Sequence, residues 1–89
     1  MNNKVFIVVA ELNKISSVKE FENQLGFLGE WVKVTNGVYF LKEPFDRTSE
    51  NIIENMLMTE RIKIFVMKTS LDAAWYLENS LDEWLKKNI

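Results

Sequence analysis

The chain has 89 residues, 47% of them hydrophobic, with a formal net charge of −2, no His and no Cys. That length makes one domain. The missing Cys exclude a disulfide framework and a thiolate metal site, and the missing His removes the commonest general base. The mildly acidic balance argues against sequence-independent nucleic-acid binding by the whole surface and leaves room for a local basic patch.

Three Trp and the high apolar content exceed what so short a chain needs for a core, which points to an oligomer interface. The first apolar run, Val5 to Ala10, is too short for a secretory core or a membrane span, so no leader is expected and the expected location is the cytoplasm. Apolar at every position, it reads as a central strand covered on both faces. It ends at Glu11.

Ser17-Val18-Lys19-Glu20 has the spacing of a capping box, and Val18, Phe21, Leu25 and Leu28 then share one helical face, with Gly26 and Gly29 as candidate stops. Next, Trp31 to Thr35 and Val38 to Lys42 flank Asn36-Gly37, a dipeptide suited to a type I′ hairpin turn. A two-residue loop sets Val34 against Tyr39 and Val32 against Leu41 on one face. Lys33 then opposes Phe40, and Trp31 opposes Lys42, on the other. Pro44 ends the second arm, as on an edge strand.

A second helix is predicted from Thr48 or Ser49, with Ile52, Ile53, Met56 and Leu57 as its apolar stripe. Arg61 to Lys68 alternates as a strand, Ile62, Ile64 and Val66 on one face and Lys63, Phe65 and Met67 on the other. Ser80-Leu81-Asp82-Glu83 is another capping box, opening a short helix through Leu85 and Lys87. Ala73 to Leu77 fits either an earlier part of that helix or a fifth, short strand.

This order predicts an α+β fold, the ferredoxin-like βαββαβ sandwich: a four-stranded antiparallel sheet, two helices on one face, and a C-terminal extension of short strand or helix. The face away from the helices then carries Trp31, Phe40, Phe65 and Met67, with Phe6 and Val8 (or Val5 and Ile7) from the central strand. Trp75 is a further candidate for that face. Lys33, Lys42 and Lys63 lie among the aromatics as candidate phosphate contacts. Such a face suits packing against a second copy, a heterologous protein partner, or RNA bases stacked on a monomer.

Glu11 is the sole candidate catalytic or metal-ligating residue. An acid just past a central strand can hold a divalent ion when a dyad brings two copies together, or simply cap a turn. Asp46, beyond the hairpin, is the other acid that the sequence can bring near that end of the sheet. Asp82 and Glu83 are explained by a helix start, and Lys86 and Lys87 by its C-terminal dipole. Trp31, Trp75 and Trp84 suggest a ligand cage, but the spacing of Trp84 from Leu81 and Leu85 favours core packing.

Several pieces, in order, resemble a known family. Ala10-Glu11-Leu12-Asn13-Lys14 is similar to the Tyr-Asp-Leu-Asn-Lys run of small proteins related to the CRISPR-associated adaptation nuclease subunit and to virulence-associated protein D. Val38 to Lys42 resembles their Trp-Leu-Ile-Lys segment, and Arg61 to Val66 their Asp-Lys-Leu-Phe-Val strand. Ala73-Ala74-Trp75 with Glu83-Trp84-Leu85 matches their Ala-Ala-Trp and Trp-Leu pair.

The resemblance implies a prokaryotic or phage protein and a homodimer with sheets face to face. It makes 73–77 a strand that extends the partner's sheet. It also sets acids at the end of strand 1 about the dyad, where nuclease members hold Mg²⁺. Here Ala10-Glu11 replaces Tyr-Asp, lengthening the carboxylate stem by a methylene and removing the aromatic neighbour. The expectation is therefore a small homodimeric interaction or nucleic-acid-associated module without catalysis or cofactor. The alternative is a Mg²⁺-dependent endonuclease using Glu11 of both subunits.

Overall fold

The computed structural model describes residues 4–70 and 72–89. The elements are β1 (Val5–Ala10), α1 (Ile15–Leu28), β2 (Glu30–Thr35), β3 (Val38–Lys42), α2 (Ser49–Glu54), β4 (Ile64–Lys68) and α3 (Asn79–Asn88). The strands form one four-stranded sheet in the order β2-β3-β1-β4, and every neighbouring pair is antiparallel. The fold is α+β with three helices. Among the described residues, no helix is long and apolar enough to cross a membrane.

One face of the sheet is covered by α1 and α2. Phe6, Val8 and Ala10 of β1 and Tyr39 and Leu41 of β3 pack there with Phe21, Leu25 and Leu28 of α1 and with Ile52 and Met56. Tyr39 sits at the centre, its ring 5.4 Å from Phe21 and 5.6 Å from Trp31. Its hydroxyl donates to Glu22 at 2.8 Å, and Lys33 closes the group with an ion pair to Glu22 at 3.3 Å. Burial, and then the Glu22 carboxylate, push the Tyr39 phenol well above the usual tyrosine range.

The hairpin departs from the expected register. Of the two central residues Asn36 and Gly37, only Gly37 has positive φ, whereas a type I′ turn requires it at both. The chain instead bulges between Lys33 and Thr35, so Trp31 opposes Leu41, Val32 opposes Phe40 and Lys33 opposes Tyr39. A one-residue slip moves every side chain of a strand to the other face. Trp31 is thereby corrected from the second face to the helix-covered one, where it packs against the core.

Phe6 and Val8 are corrected likewise. They are 2% and 0% exposed beneath the helices, and Val5, Ile7 and Val9 alternate onto the second face. That choice is fixed by pairing, since Ile7 lies between Phe40 and Met67, and Val9 between Val38 and Phe65.

Helix starts also moved. α1 begins two residues before Ser17, so the predicted box does not form, and Glu20 instead accepts from the N–H and hydroxyl of Thr59 at 2.9 and 2.6 Å. Those hydrogen bonds hold the Glu20 carboxyl below its usual range. Gly26 lies inside α1, and Gly29 ends it. α2 does start as expected, with a reciprocal box between Thr48 and Asn51.

The C-terminal helix lies over the second face. The Trp84 ring stacks on Phe40, centroids 6.4 Å apart and 16° between planes, and its indole N–H donates to Glu30 at 2.8 Å. Leu81 and Leu85 are buried. The predicted box at Ser80 does not form, because α3 starts at Asn79 and Ser80 lies inside the helix; Asp82 has partners of its own. It accepts from the Trp75 indole at 2.8 Å and pairs with Lys86 at 2.9 Å. These contacts, Lys86 first, keep its carboxyl below the usual range. Residues 73–78 form neither helix nor strand, so both readings of 73–77 are corrected for the single chain.

Candidate functional site

The end of β1 is assembled from four segments. The Ala10 N–H donates to the Gly37 carbonyl at 2.8 Å, tying the hairpin tip to β1, and the Glu11 N–H donates to the Lys63 carbonyl at 3.0 Å. Asn13 and Lys14 then lead into α1, while Glu60 to Lys63 lead into β4. Together they line a cavity of about 200 Å³ whose wall includes Glu11, Lys14, Ser17, Glu60, Arg61 and Lys63.

Glu11 lies on its rim, with a side chain 55% exposed. It accepts from the Asn13 amide at 3.4 Å and faces the Lys63 ammonium at 3.9 Å. Lys14 is bound to Glu60 at 2.7 Å, and that hydrogen bond raises its pKa. Asp46 is elsewhere. β3 runs antiparallel to β1, so the loop after it returns to the start of β1, where Asp46 meets Lys4 at 3.4 Å.

Among the described residues no three acids, His or Cys gather in a way that could hold a metal. Within one chain the residues at Glu11 do not fit Mg²⁺, which asks for several oxygen ligands in octahedral geometry. Glu11 faces the Lys63 ammonium and Glu60 is held by Lys14, so the two carboxylates of the cavity do not supply such a set.

The candidate phosphate-contacting lysines are not brought together. Lys33 is at the helix-covered side beside Glu22, Lys42 lies half-buried opposite Glu30, and Lys63 is at the far end by Glu11. The aromatics of the second face divide too. Phe40 lies under Trp84, whereas Phe65 and Met67 on β4 remain 57% and 49% exposed, with Val9 beside them at 38%. Trp75 is half-buried against Asp82, and Tyr76 next to it is fully exposed. No cage of the three Trp exists.

The burial of two polar residues went unnoticed in the sequence. Glu43 is 1% exposed. Its carboxylate accepts from the Phe45 N–H at 2.9 and 3.0 Å and from the Arg47 N–H at 2.8 Å, and pairs with the Arg47 guanidinium at 2.8 Å. Alternation beyond Leu41 would have turned Glu43 inward, and that was the available signal. Ser17, 8% exposed, is the other. It was masked by its apparent role as a helix cap.

No family model, no curated protein and no solved structure matches the chain.

Proposed function

We propose that this protein is a homodimeric interaction module on a ferredoxin-like scaffold, and that its second copy covers the strip formed by Val9, Phe65 and Met67. The observation that carries this reading is the strip itself, exposed beside β4, whose outer edge pairs with no strand among the described residues. Residues 73–78 are a second unpaired stretch of the same chain. Their burial alternates, Trp75 and Leu77 half-buried between exposed neighbours, as in a strand awaiting a sheet. Two such features on one chain are self-complementary across a two-fold axis, which gives a closed pair rather than a filament. The βαββαβ order, with β1 and β3 central, supports the scaffold assignment.

Sedimentation equilibrium tests the reading. The wild-type chain should be a dimer, and Phe65→Asp with Met67→Asp should be a monomer with unchanged circular dichroism, since both side chains are already exposed within one chain. A wild-type monomer across the concentration range would overturn it.

The reading as a Mg²⁺-dependent endonuclease has less support, because Glu11 already faces Lys63. It requires divalent-dependent cleavage of RNA or DNA that Glu11→Gln abolishes. An RNA-stacking monomer is also less supported, since stacking on Trp84 leaves Phe65 as the exposed aromatic of the sheet.

A further inference from the structure

The sheet has two outer strands, and the dimer reading uses only β4. At the opposite side lies β2, whose outer edge pairs with no strand among the described residues. Such an edge presents a row of backbone donors and acceptors to which an extended chain can add. The bulge between Lys33 and Thr35 breaks the regular ladder, which leaves Glu30 to Lys33 as the even part of that edge.

A groove runs along the same strand. On α1, Lys19, Glu22, Asn23, Gly26 and Phe27 recur at helical spacing and form one stripe. With Trp31 they line an open space of about 530 Å³. Glu22 pairs with Lys33 and Gly26 lies by Trp31, so α1 and β2 pass each other in opposite directions. From Lys19 to Phe27 the stripe runs about 12 Å, close to the span of about four residues of extended chain.

Two polar groups of the groove are unanswered. The indole N–H groups of Trp75 and Trp84 donate to Asp82 and Glu30, whereas that of Trp31 donates to nothing among the described residues. It lies at the floor of the groove, since a Cβ on Gly26 would be 3.8 Å from the nitrogen, and it is not sealed from the surface. An indole N–H usually finds an acceptor. Lys19 is exposed and has no ion pair or hydrogen bond among the described residues, while Glu22 is already engaged by Tyr39 and Lys33. Phe27, 80% exposed, stands at the other end. The groove therefore suits a chain that brings a negative charge to Lys19, acceptors along its length and an apolar side chain to Phe27.

We propose that β2 and this groove bind an extended segment of a partner protein as an added strand, with an acidic residue at Lys19 and, four positions on, an apolar one at Phe27 and Trp31. Residues an even number apart share one face of a strand, so both side chains enter the groove. Antiparallel addition to β2 follows the direction of α1, which puts the acid first. Main-chain pairing supplies affinity, and the two groove side chains supply specificity.

The probe is the peptide acetyl-Thr-Asp-Val-Thr-Val-Leu-Thr-amide, titrated into ¹⁵N-labelled full-length chain and followed by amide chemical shifts. Saturable shifts along β2 and at Gly26 and Phe27 are expected. N-methylation of one alternate set of peptide amides should abolish binding and of the other set leave it intact, because only one set faces β2. Shifts that never saturate, shifts centred on β4, or equal effects of the two methylated sets overturn the proposal. So do β2 shifts that follow protein concentration without peptide, since a second copy then fills the edge.

Lys19→Glu and Phe27→Ala, both at exposed positions, should each weaken binding about tenfold without lowering the thermal midpoint. Lys87→Glu, at an exposed lysine of α3, makes the same charge change away from the groove and should leave affinity unaltered. Equal losses in the two lysine variants, or unaltered affinity in both groove variants, would refute the site. The Phe65→Asp, Met67→Asp chain that tests the dimer keeps β2 and the groove, so it should bind the peptide as the wild type does. The two readings therefore fail separately.

Discussion

Glu43 shows how one side chain can organise a loop. A buried carboxylate is tolerated only when its oxygens are fully engaged, and here two backbone N–H groups and the Arg47 guanidinium do so. The loop it gathers holds Asp46 at a φ of 60° and presents Phe45, whose exposed ring lies 5.2 Å from the guanidinium carbon of Arg47. Glu43→Ala strands a partly buried cation and frees the loop, and should cost about 3 kcal/mol. Urea unfolding measures it, and a loss no larger than that of an exposed control such as Glu50→Ala would show that the pair contributes little. Sequence reasoning passed over Glu43 because Lys42 and Pro44 frame it as a surface turn.

At the scale of elements, the two glycines of the first helix separate cleanly. A Cβ on Gly26 meets only the Trp31 indole nitrogen, at 3.8 Å, whereas one on Gly29 would collide with the Lys42 carbonyl. Gly26→Ala should therefore stabilise the chain by about 0.5–1 kcal/mol through helix propensity. Gly29→Ala should destabilise it by about 1–3 kcal/mol, since backbone must move to make room. Thermal unfolding of both variants checks the pair, and a common sign would contradict the packing.

Element order and type were legible in the sequence, because periodicity of 2 or 3.6 is written in the side chains themselves. The strands, α1 and α2 follow from it. Register was not legible. Asn36-Gly37 announces a turn but not the bulge between Lys33 and Thr35, and the position of Trp31 follows from that backbone detail. For β1, apolar throughout, alternation could not choose between Phe6 with Val8 and Val5 with Ile7. Pairing with β3 and β4 decides it. At the site, Glu11 was visible as the end of β1, whereas the Lys63 that faces it arrives through β4 pairing. Ser17 was hidden because a capping box and a helix start two residues earlier look alike in sequence.

For the whole molecule, surface area bears on the proposed dimer. A folded monomer of 10.5 kDa exposes about 5,400 Å² by the usual scaling, and this chain exposes 6147 Å². The difference is close to the roughly 800 Å² that each partner contributes to a standard interface. Part of it resides in residues 73–78 and the strip on β4, where the second copy is proposed to sit.

The stacking of Trp84 on Phe40 sets a hierarchy of motion. α3 adds no strand pairing and follows residues 73–78, which form neither helix nor strand, so it is held by side-chain contacts, the Trp84–Glu30 hydrogen bond among them, whereas β1 is hydrogen-bonded on both sides. Such a unit opens at lower free energy than the body it rests on. Native-state hydrogen exchange should show the α3 amides exchanging through a local opening well before those of β1. Equal protection would mean that the helix and sheet unfold as one. Each opening bares Phe40 and joins it to Val9, Phe65 and Met67, so the apolar area of the second face fluctuates in time between a narrow and a broad form.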